Sequence, residues 1–379
     1  MGFEVTQIET KSFITGSEVI ARAAIDAGCN FFAGYPITPA SGILRSMLKM
    51  LPDVRGIGIQ GEDEITSIGF CIGAAAAGKK VLTATSGPGM SLYSENIGFA
   101  MMAEIPMVVV NVQRMGPGTG GATTSAEGDV QFMRWVTSGG FPIIALCPTT
   151  LEEAYTLTIE AFNLAERFRT MVIVLTNKDL AMSNDTMDPG ALVRPELVER
   201  TQAQSAAEYM PYRYDELADV PDFARLGGDI LARFNTSTHG KNGFLVKKPE
   251  VVDNALKHLV DKIHEHQDEI DRVTADIDED ADTIILAYGQ PARTSKDVLE
   301  KVRAAGKSLS LATVYSLWPL PEKPIKEFVK GHKRIVVPEH NLGQYALEIE
   351  RLFPECEVRR INRIDGKQIS PAEIEEQCF

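Results

Sequence analysis

Three short segments of the chain combine residue types that could do chemistry, and each of them follows an apolar run. They are the proline-rich segment GYPITP at residues 34–39, the acidic triplet at residues 62–64 and the turn SGPG at residues 86–89. A carboxylate can transfer protons as a general acid or base, and glycines let the backbone approach a ligand closely. In parallel sheets, ligands bind beyond the carboxyl ends of the strands. We therefore expect the three segments to form one rim that faces a cofactor.

A fourth candidate, Arg114, directly follows the β-branched run at residues 106–113. A guanidinium at the end of a strand can bind a carboxylate through two parallel hydrogen bonds. A surface arginine at a strand exit is also common. Burial of the valines at 108–110 should nevertheless place Arg114 at the rim.

The elements that must position these residues alternate between helix and strand from residue 16 to about 177. Because the strand segments are continuous apolar runs, the pattern predicts a doubly wound α/β fold, in which helices cover both faces of a parallel sheet. The predicted strands are 31–35, 57–60, 80–85, 106–113, 143–146 and 171–176, and the predicted helices are 17–27, 41–50, 65–77, 91–103 and 151–168.

The length of 379 residues favours two domains and a connector. We place an α/β domain at residues 1–193, a connector with a charged helix at about 251–277 within residues 194–277, and a smaller α/β domain at 278–379. Three histidines lie on the charged helix, and we expect them to form a solvated face rather than a metal site: His258, His264 and His266.

The net charge of −14 argues against nucleic acid as a partner, because nucleic-acid binding requires basic patches. The same charge disfavours docking of an acidic electron carrier on this chain, although solubility alone would explain it equally well. No apolar run reaches the length of a membrane span, and the first residues lack the pattern of a secretory signal. We therefore expect neither a nucleic-acid partner nor a membrane partner.

The five cysteines lie far apart and form no C-x-x-C pair. This is the reduced usage of a cytoplasmic protein. An iron–sulfur cluster requires several closely spaced thiolates. We therefore expect any cluster to be carried by another chain.

In this order the segments resemble the α subunit of the 2-oxoacid:ferredoxin oxidoreductases, and most closely the 2-oxoglutarate type. The resemblance covers nearly the whole chain and is strongest from residue 16 to 177. It implies that the first domain binds the pyrimidine end of thiamine diphosphate. It also implies that the smaller domain is similar to the C-terminal domain of transketolases.

The resemblance implies that Glu64 is the catalytic residue. Thiamine chemistry requires a Glu that is hydrogen-bonded to N1′ of the aminopyrimidine and favours its imino tautomer. In the family this Glu opens a small-residue helix with glycines at set distances, and Glu64 is followed by glycines at 69, 73 and 78. Acidic residues also stabilise a helix N-terminus by ~0.3–1 kcal/mol without any catalytic role. Its acidic neighbours at 62 and 63 therefore remain competitors.

The resemblance further makes Thr38 a hydrogen-bond donor to the substrate and Arg114 the group that binds the substrate's carboxylate. The two prolines around Thr38 hold the backbone extended, although a proline-rich turn with an incidental Thr would look the same. The implied cofactor-binding residues are Pro36, Ile37, Glu64, Ser86, Gly87 and Pro88.

One half of a thiamine diphosphate site is missing from the sequence. Such enzymes bind Mg²⁺ and diphosphate with Gly-Asp-Gly and a later Asn, but Asp129 is followed by Val130 and Asp229 by Ile230. The resemblance therefore implies a separate β subunit that carries the diphosphate, the Mg²⁺ and the iron–sulfur cluster, in an αβ or (αβ)₂ assembly. This chain itself should hold no metal.

The implied reaction converts 2-oxoglutarate, CoA and oxidised ferredoxin to succinyl-CoA, CO₂ and reduced ferredoxin, or runs in reverse as a carboxylation in the reductive TCA cycle. Family members often differ from this chain at Gly118, at Ala122 and at residues 138–140. Another 2-oxoacid, branched-chain or pyruvate, therefore remains an alternative. Arg134 is a candidate for the distal carboxylate of 2-oxoglutarate.

An alternative of another class is a non-catalytic, nucleotide-binding regulatory α/β protein. Residues 116–121 satisfy the G-x-G-x-x-G pattern of dinucleotide sites. The following residues, 122–128, lack the apolar period of the helix that such a site requires. We therefore interpret this segment as a flexible loop over the active site.

Overall fold

The computed structural model describes residues 10–379. The predicted absence of a secretory signal concerns residues outside this range. No helix among the described residues is long and apolar enough to cross a bilayer.

The first part of the described chain alternates between strands and helices, as expected. Helix α1 begins after Thr15, whose hydroxyl accepts a hydrogen bond from Glu18 N. It ends before Gly28, which has a positive φ of 87°, as is common after helix ends. The elements are β1 (Ser12–Thr15), α1 (Gly16–Asp26), β2 (Phe31–Gly34), α2 (Ser41–Met50), β3 (Ile57–Gln60), α3 (Glu64–Ala76), β4 (Val81–Thr85), α4 (Gly87–Met102), β5 (Met107–Gln113), α5 (Val130–Arg134), β6 (Ile144–Leu146), α6 (Leu151–Phe168), β7 (Met171–Asn177), α7 (Lys178–Met182) and β8 (Asn184–Met187).

The second part follows a long irregular segment. Residues 192–248 contain no helix or strand. The elements after it are α8 (Pro249–His264), α9 (Gln267–Ile270), β9 (Val273–Asp276), β10 (Thr283–Ala287), α10 (Gly289–Ala304), β11 (Ser310–Val314), β12 (Ser316–Trp318), α11 (Glu322–Val329), β13 (Arg334–Glu339), α12 (Ala346–Leu352), β14 (Glu357–Asn362) and α13 (Pro371–Cys378).

The larger sheet has seven strands in the order β12-β6-β7-β5-β4-β2-β3. All neighbours are parallel except β12, which runs antiparallel to β6. Residues of α1, α2 and α6 share a hydrophobic cluster on one face of the sheet, and residues of α3, α4 and α5 share a cluster on the other. The predicted doubly wound α/β fold is confirmed.

The smaller sheet has five strands in the order β14-β13-β10-β11-β9, with only β9 antiparallel to its neighbour. The cluster beneath α3 and α4 continues into buried residues of this second region, including Trp318 and Tyr345. The two regions therefore share a core. The domain boundaries at 193 and 277 remain a prediction.

The charged helix differs from the prediction in length and in exposure. It ends at His264, and residues 273–276 form strand β9 instead, paired with β11. His264 is exposed and His266 half-buried, but His258 is buried. Its Nε2 lies 3.2 Å from Glu104 Oε2, and its Nδ1 lies 2.8 Å from the carbonyl of Leu217. The expectation of a solvated face is wrong for His258, because its ring is buried against Glu104. Glu104 is distant in sequence, so the periodicity of the helix could not reveal this contact.

Candidate active site

The candidate residues follow four neighbouring strands of the larger sheet: β5, β4, β2 and β3. The parallel registers place Thr85 opposite Asn111 and Gly34 opposite Gln60. The segments after these strands therefore lie side by side at one edge. This is the rim that the sequence predicted.

Glu64 is the first residue of α3 and the most buried of the three acidic residues, with 7% of its surface exposed. Asp63 caps the helix, since its Oδ1 accepts a hydrogen bond from Thr66 N at 2.7 Å. Glu62 is exposed. Of the triplet, Asp63 thus has a structural role, and only Glu64 is turned inward.

The side chain of Glu64 packs against the first turn of α4. A Cβ atom placed on Gly89 would lie 2.9 Å from Glu64 Cγ, 3.0 Å from Glu64 Oε1 and 2.0 Å from Thr85 Oγ1. Only glycine fits at this position. The turn at 86–89 therefore brings backbone close to the carboxylate.

Two hydroxyl groups beside this turn are buried without a hydrogen-bond partner among the described residues, Thr85 Oγ1 and Ser86 Oγ. Ser86 precedes α4 but makes no side-chain capping bond. Gly87 and Pro88 follow it and are half-buried. Buried polar atoms are normally paired, so these hydroxyls are available to a ligand.

Arg114 is buried at the end of β5, with 7% of its surface exposed. Its Nη1 donates to the carbonyl of Thr38 at 2.5 Å, and its Nη2 donates to the carbonyl of Thr119 at 3.1 Å. Its Nε has no partner among the described residues. Among them, no carboxylate forms an ion pair with Arg114. The structure therefore brings Thr38 and Arg114 together. The guanidinium of Arg114 is a cation that can bind an anionic ligand.

The proline-rich segment lies at the mouth of this arrangement. Pro36 is exposed, whereas Ile37 and Thr38 are half-buried. The carbonyl of Ile37 accepts a hydrogen bond from Ser41 N and so joins the segment to α2. The Thr38 hydroxyl makes no hydrogen bond to another described residue, so it is also free for a ligand.

Asp129 is a site residue that sequence reasoning missed. Its Oδ2 accepts a hydrogen bond from Asn111 Nδ2 at 3.0 Å, and its backbone N donates to Gln113 Oε1 at 3.0 Å. Burial raises the pKa of its carboxyl, against the opposing effects of Asn111 and Arg114. A Cβ on Gly87 would lie 2.9–3.0 Å from both of its carboxylate oxygens. In the sequence, the polar residues Asn111 and Gln113 within the apolar strand β5 were the signal that a polar group such as Asp129 lies against it.

Arg134 does not lie free at the rim. Its guanidinium is stacked 4.6 Å from the ring of Trp135 and 4.8 Å from that of Trp318, and its Nη1 forms a 2.6 Å ion pair with Glu348. Glu348 and Trp318 both come from the C-terminal region. The expectation that Arg134 meets a substrate carboxylate is therefore not supported by the geometry.

The glycine-rich segment forms a tight turn rather than the start of a long helix. Met115 and Gly121 form an isolated antiparallel bridge, and a Cβ on Gly120 would lie 1.9 Å from the carbonyl oxygen of Met115. The next helix, α5, begins nine residues later and has only five residues. The dinucleotide alternative therefore lacks the helix N-terminus that it requires.

Within residues 10–379, no group of three or more His, Cys, Asp or Glu side chains is arranged to hold a metal ion. Four of the cysteines are buried and Cys356 is half-buried. Burial raises the pKa of Cys29 and of Cys71 to about 12. Such thiols are protonated, structural side chains.

The rim fits the pyrimidine half of thiamine diphosphate. It offers an inward-facing carboxylate, two unpartnered hydroxyls and a glycine turn, and it places them near an arginine whose Nε has no partner among the described residues. These groups can accept a hydrogen bond from an aromatic ring nitrogen, donate to a ligand and bind an acid. The fold and the site thus define an α/β protein of the thiamine-dependent class.

Comparisons with known proteins agree with this class. The family described as "Pyruvate flavodoxin/ferredoxin oxidoreductase, thiamine diP-bdg" matches residues 22–225, and "Pyruvate:ferredoxin oxidoreductase core domain II" matches residues 281–374. The 2-oxoglutarate synthase subunit KorA of Methanocaldococcus jannaschii is 38% identical, with 96% of this chain and 98% of that protein covered. The ketoisovalerate oxidoreductase subunit VorB of Methanothermobacter thermautotrophicus is 31% identical over 96% of both chains.

Two solved structures share the fold. The 2-oxoglutarate:ferredoxin oxidoreductase from Magnetococcus marinus, solved with 2-oxoglutarate, coenzyme A and succinyl-CoA bound, matches with a TM-score of 0.90 and 28% identity. The match covers 98% of this chain but only 65% of that chain. A split-gene transketolase matches with a TM-score of 0.55 at 12% identity, which indicates a transketolase-like fold alone.

The chain belongs to the 2-oxoacid:ferredoxin oxidoreductase family. The resemblance predicted from residues 34–39, 62–64 and 86–89 is therefore confirmed. Its relatives of similar length are named as subunits. The roles of the individual site residues remain predictions.

Proposed function

We propose that this chain is the α subunit of a cytoplasmic 2-oxoglutarate:ferredoxin oxidoreductase. The enzyme converts 2-oxoglutarate, CoA and oxidised ferredoxin to succinyl-CoA, CO₂ and reduced ferredoxin, or catalyses the reverse carboxylation. The observation that carries the proposal is the placement of Glu64 and Arg114 on one rim, where a buried carboxylate and a buried guanidinium with an unpartnered Nε can serve a cofactor and an acid substrate. The named 2-oxoglutarate synthase relatives support the choice of substrate.

Thiamine diphosphate, when bound, supplies the electron sink for cleavage or formation of the bond to the carboxyl carbon. Glu64 is the proposed acceptor for N1′ of its aminopyrimidine, and it holds the proton that favours the imino tautomer. Gly89 permits this approach, because any side chain there would displace the carboxylate. Pro36, Ile37, Ser86, Gly87 and Pro88 are the proposed walls of the pyrimidine site.

Arg114 and Thr38 are the proposed substrate-binding residues. The carbonyl of Thr38 accepts a hydrogen bond from Arg114 Nη1, which holds the guanidinium against the proline-rich segment. The unpartnered Nε of Arg114 and the hydroxyl of Thr38 can then donate to the carboxylate and the oxo group of the acid. Holding both groups in a fixed orientation lowers the entropic cost of the reaction.

The remaining chemistry is assigned to a β subunit that binds the diphosphate, the Mg²⁺ and an iron–sulfur cluster and that transfers electrons to ferredoxin. The absence of Gly-Asp-Gly from the sequence and the structural role of the buried cysteines support this division. CoA acts as co-substrate, and the assembly is αβ or (αβ)₂. The dispersed, reduced cysteines support the cytoplasmic location.

A second candidate is the same chemistry on a branched-chain 2-oxoacid. The position of Arg134 favours it, because the two tryptophans and Glu348 hold the guanidinium that was expected to bind a distal carboxylate. The 31% identity to a ketoisovalerate oxidoreductase subunit is consistent with this reading.

Co-expression with a candidate β subunit, a chain from the same genome that contains Gly-Asp-Gly and clustered cysteines, tests the proposal. We expect the complex to be coloured and to reduce a low-potential dye when supplied with thiamine diphosphate, CoA and 2-oxoglutarate, with a lower rate on 2-oxoisovalerate and pyruvate. This chain alone should be colourless and inactive. Full activity or a bound cluster in the isolated chain would contradict the division between subunits, and a preference for 2-oxoisovalerate would support the second candidate.

A further inference from the structure

The C-terminal region holds a short segment of the active-site loop by its backbone. This segment, residues 127–131, is here named the docked segment. It lies against residues 340–344, which directly follow β13. The contacts are Glu127 N to the carbonyl of His340 (2.9 Å), Asn341 Nδ2 to the carbonyl of Glu127 (2.8 Å), Gln344 Nε2 to the carbonyl of Gly128 (2.6 Å), Gln131 N to Gln344 Oε1 (2.9 Å), Gln131 Nε2 to the carbonyl of Gln344 (3.0 Å) and Trp318 Nε1 to the carbonyl of Val130 (2.8 Å).

These contacts fix the backbone on both sides of Asp129. The carbonyls of its neighbours Gly128 and Val130 each accept a hydrogen bond from a side chain of the C-terminal region. Within the described part of the chain, the side chain and the backbone N of Asp129 are hydrogen-bonded to the first domain, through Asn111 and Gln113. The docked segment therefore connects the C-terminal region to the rim through one carboxylate.

The carboxylate of Asp129 lies at the N-terminus of α4, on the side away from Glu64. Asp129 packs against Gly87, whereas Glu64 packs against Gly89. Two residues along a helix turn by about 200°, so the two glycines face nearly opposite directions. The first turn of α4 is thus flanked by two carboxylates.

A negative charge beside a helix N-terminus stabilises it electrostatically. The capping residue Ser86 gives no side-chain hydrogen bond to this turn. The carboxylate of Asp129 lies beside Gly87, the first residue of the helix, and that of Glu64 lies beside Gly89. The position of Asp129 is held in turn by Asn111 and by the docked segment.

We propose that Asp129 is a positioning residue that holds the cofactor-facing turn 86–89, and that Gln344 of the C-terminal region keeps Asp129 in place. This inference rests on the proposed function, since the turn matters for catalysis only if it contacts the cofactor. It gives the C-terminal region a part in the active site, although none of the proposed catalytic or substrate-binding residues lies in it.

The test uses Asp129→Asn, which keeps the size of the side chain and an acceptor for Asn111 but removes the charge. In the cofactor-free chain, we expect amide hydrogen exchange in residues 87–92 to become at least several-fold faster. In the co-expressed complex, the dissociation constant of thiamine diphosphate should rise, and kcat should fall by roughly 10–100-fold, the range expected when reacting groups are misplaced. The KM for the 2-oxoacid should not rise, because Arg114 keeps its contacts and loses a nearby negative charge.

Gln344→Ala tests the path to the C-terminal region. Alone it should accelerate the same exchange and lower kcat in the same way. In the Asp129→Asn background it should add little, because it acts through the same carboxylate. Gly87→Ala, whose methyl group would meet both carboxylate oxygens, should resemble Asp129→Asn. The matched control is Asp188→Asn, which removes a half-buried acid paired with Lys11 and should change neither exchange nor kcat.

Wild-type exchange and wild-type kcat in Asp129→Asn would overturn the proposal, and so would fully additive effects of Asp129→Asn and Gln344→Ala. If Asp129→Asn does not fold, Gln344→Ala and Gly87→Ala carry the same test. Failure of the wild-type complex to turn over any 2-oxoacid would refute the proposed function instead. The exchange measurement does not depend on turnover, so the two failures are distinguishable.

Discussion

Glu64 and Gly89 are in contact across the first turns of α3 and α4, and the carboxylate occupies the space that a side chain at position 89 would need. This contact joins two of the three sequence segments into one site. Any shift of the α4 backbone at residue 89 would therefore also move the carboxylate of Glu64.

Gly89→Ala is expected to damage the site because its methyl group would overlap Thr85 Oγ1 and press on Glu64. We expect a lower free energy of unfolding and weaker binding of thiamine diphosphate. The matched control is Gly73→Ala on α3, where no atom lies within 4 Å of the added methyl group; it should stabilise the isolated chain by ~1 kcal/mol through helix propensity. Denaturant unfolding of both variants measures the contrast, and equal effects would contradict it.

Glu64→Gln keeps the shape of the side chain but removes the carboxylate. Because one acid–base group contributes ~10²–10⁴-fold in rate, kcat of the complex should fall by that range while the subunits remain associated. Glu62→Gln is the control, since Glu62 is exposed, and it should retain most activity. The reverse result would show that Glu62, and not Glu64, has the catalytic role.

Arg114→Lys should raise the KM for every 2-oxoacid by roughly 10–100-fold, the worth of a charged hydrogen bond. An ammonium group cannot contact the carbonyls of Thr38 and Thr119 and a carboxylate in one plane. Arg134→Ala should leave the preference among 2-oxoacids unchanged, because its guanidinium is held by Glu348 and two tryptophans. Steady-state kinetics on 2-oxoglutarate and 2-oxoisovalerate checks both statements, and a switch in preference in Arg134→Ala would return that residue to the substrate site.

Glu127 should make the stability of the chain depend on pH. Burial raises the pKa of its carboxyl to about 7, with Asp179 and Glu339 adding to the rise and Gln290 N and Asn177 opposing it. Because the folded-state pKa lies above the unfolded value, the contribution of Glu127 is complete below pH ~4 and is lost as the pH rises through 7. Glu127→Gln stays neutral, so its stability relative to wild type should increase from pH 5 to pH 8. Denaturant titrations at both pH values measure this difference, with Glu300→Gln, an exposed site, as the variant that should show no trend.

Lys262 should be essential for the fold although it lies far from the rim. Its Nζ forms a 2.6 Å ion pair with Glu104, and both side chains are almost fully buried. Lys262→Met leaves the carboxylate without this partner, and losing one member of a buried pair costs about 3–5 kcal/mol. Lys257→Met breaks an exposed pair with Asp253 and should cost at most about 1 kcal/mol. Similar losses of stability in the two variants would show that the buried pair contributes no more to the free energy of unfolding than the exposed pair does.

The rim could be predicted from sequence because its parts are local. Apolar runs give the strands, and the prolines of residues 34–39 and the glycines of residues 86–89 mark their carboxyl ends. The parallel register then brings these ends together without further information. This logic located Glu64, Thr38 and Arg114.

The remainder depends on contacts between distant parts of the chain. Asp129 acquires its place from Asn111, Gln113 and residues 340–344, none of which is adjacent to it. His258 is buried because Glu104 lies opposite it, more than 150 residues away. Periodicity alone cannot indicate such partners, so both residues were missed or misplaced.

Strand β12 has a consequence for how the chain can be divided. It comes from the C-terminal region but pairs with β6 of the larger sheet. A fragment cut at the predicted boundary after residue 277 would keep the pairing of β6 with β7 but open the edge of β6 that β12 covers, and open strand edges promote aggregation. The fragment that ends at residue 277 is therefore a poor candidate for separate expression. A chimaera of two related chains should accordingly take β6 and β12 from the same parent.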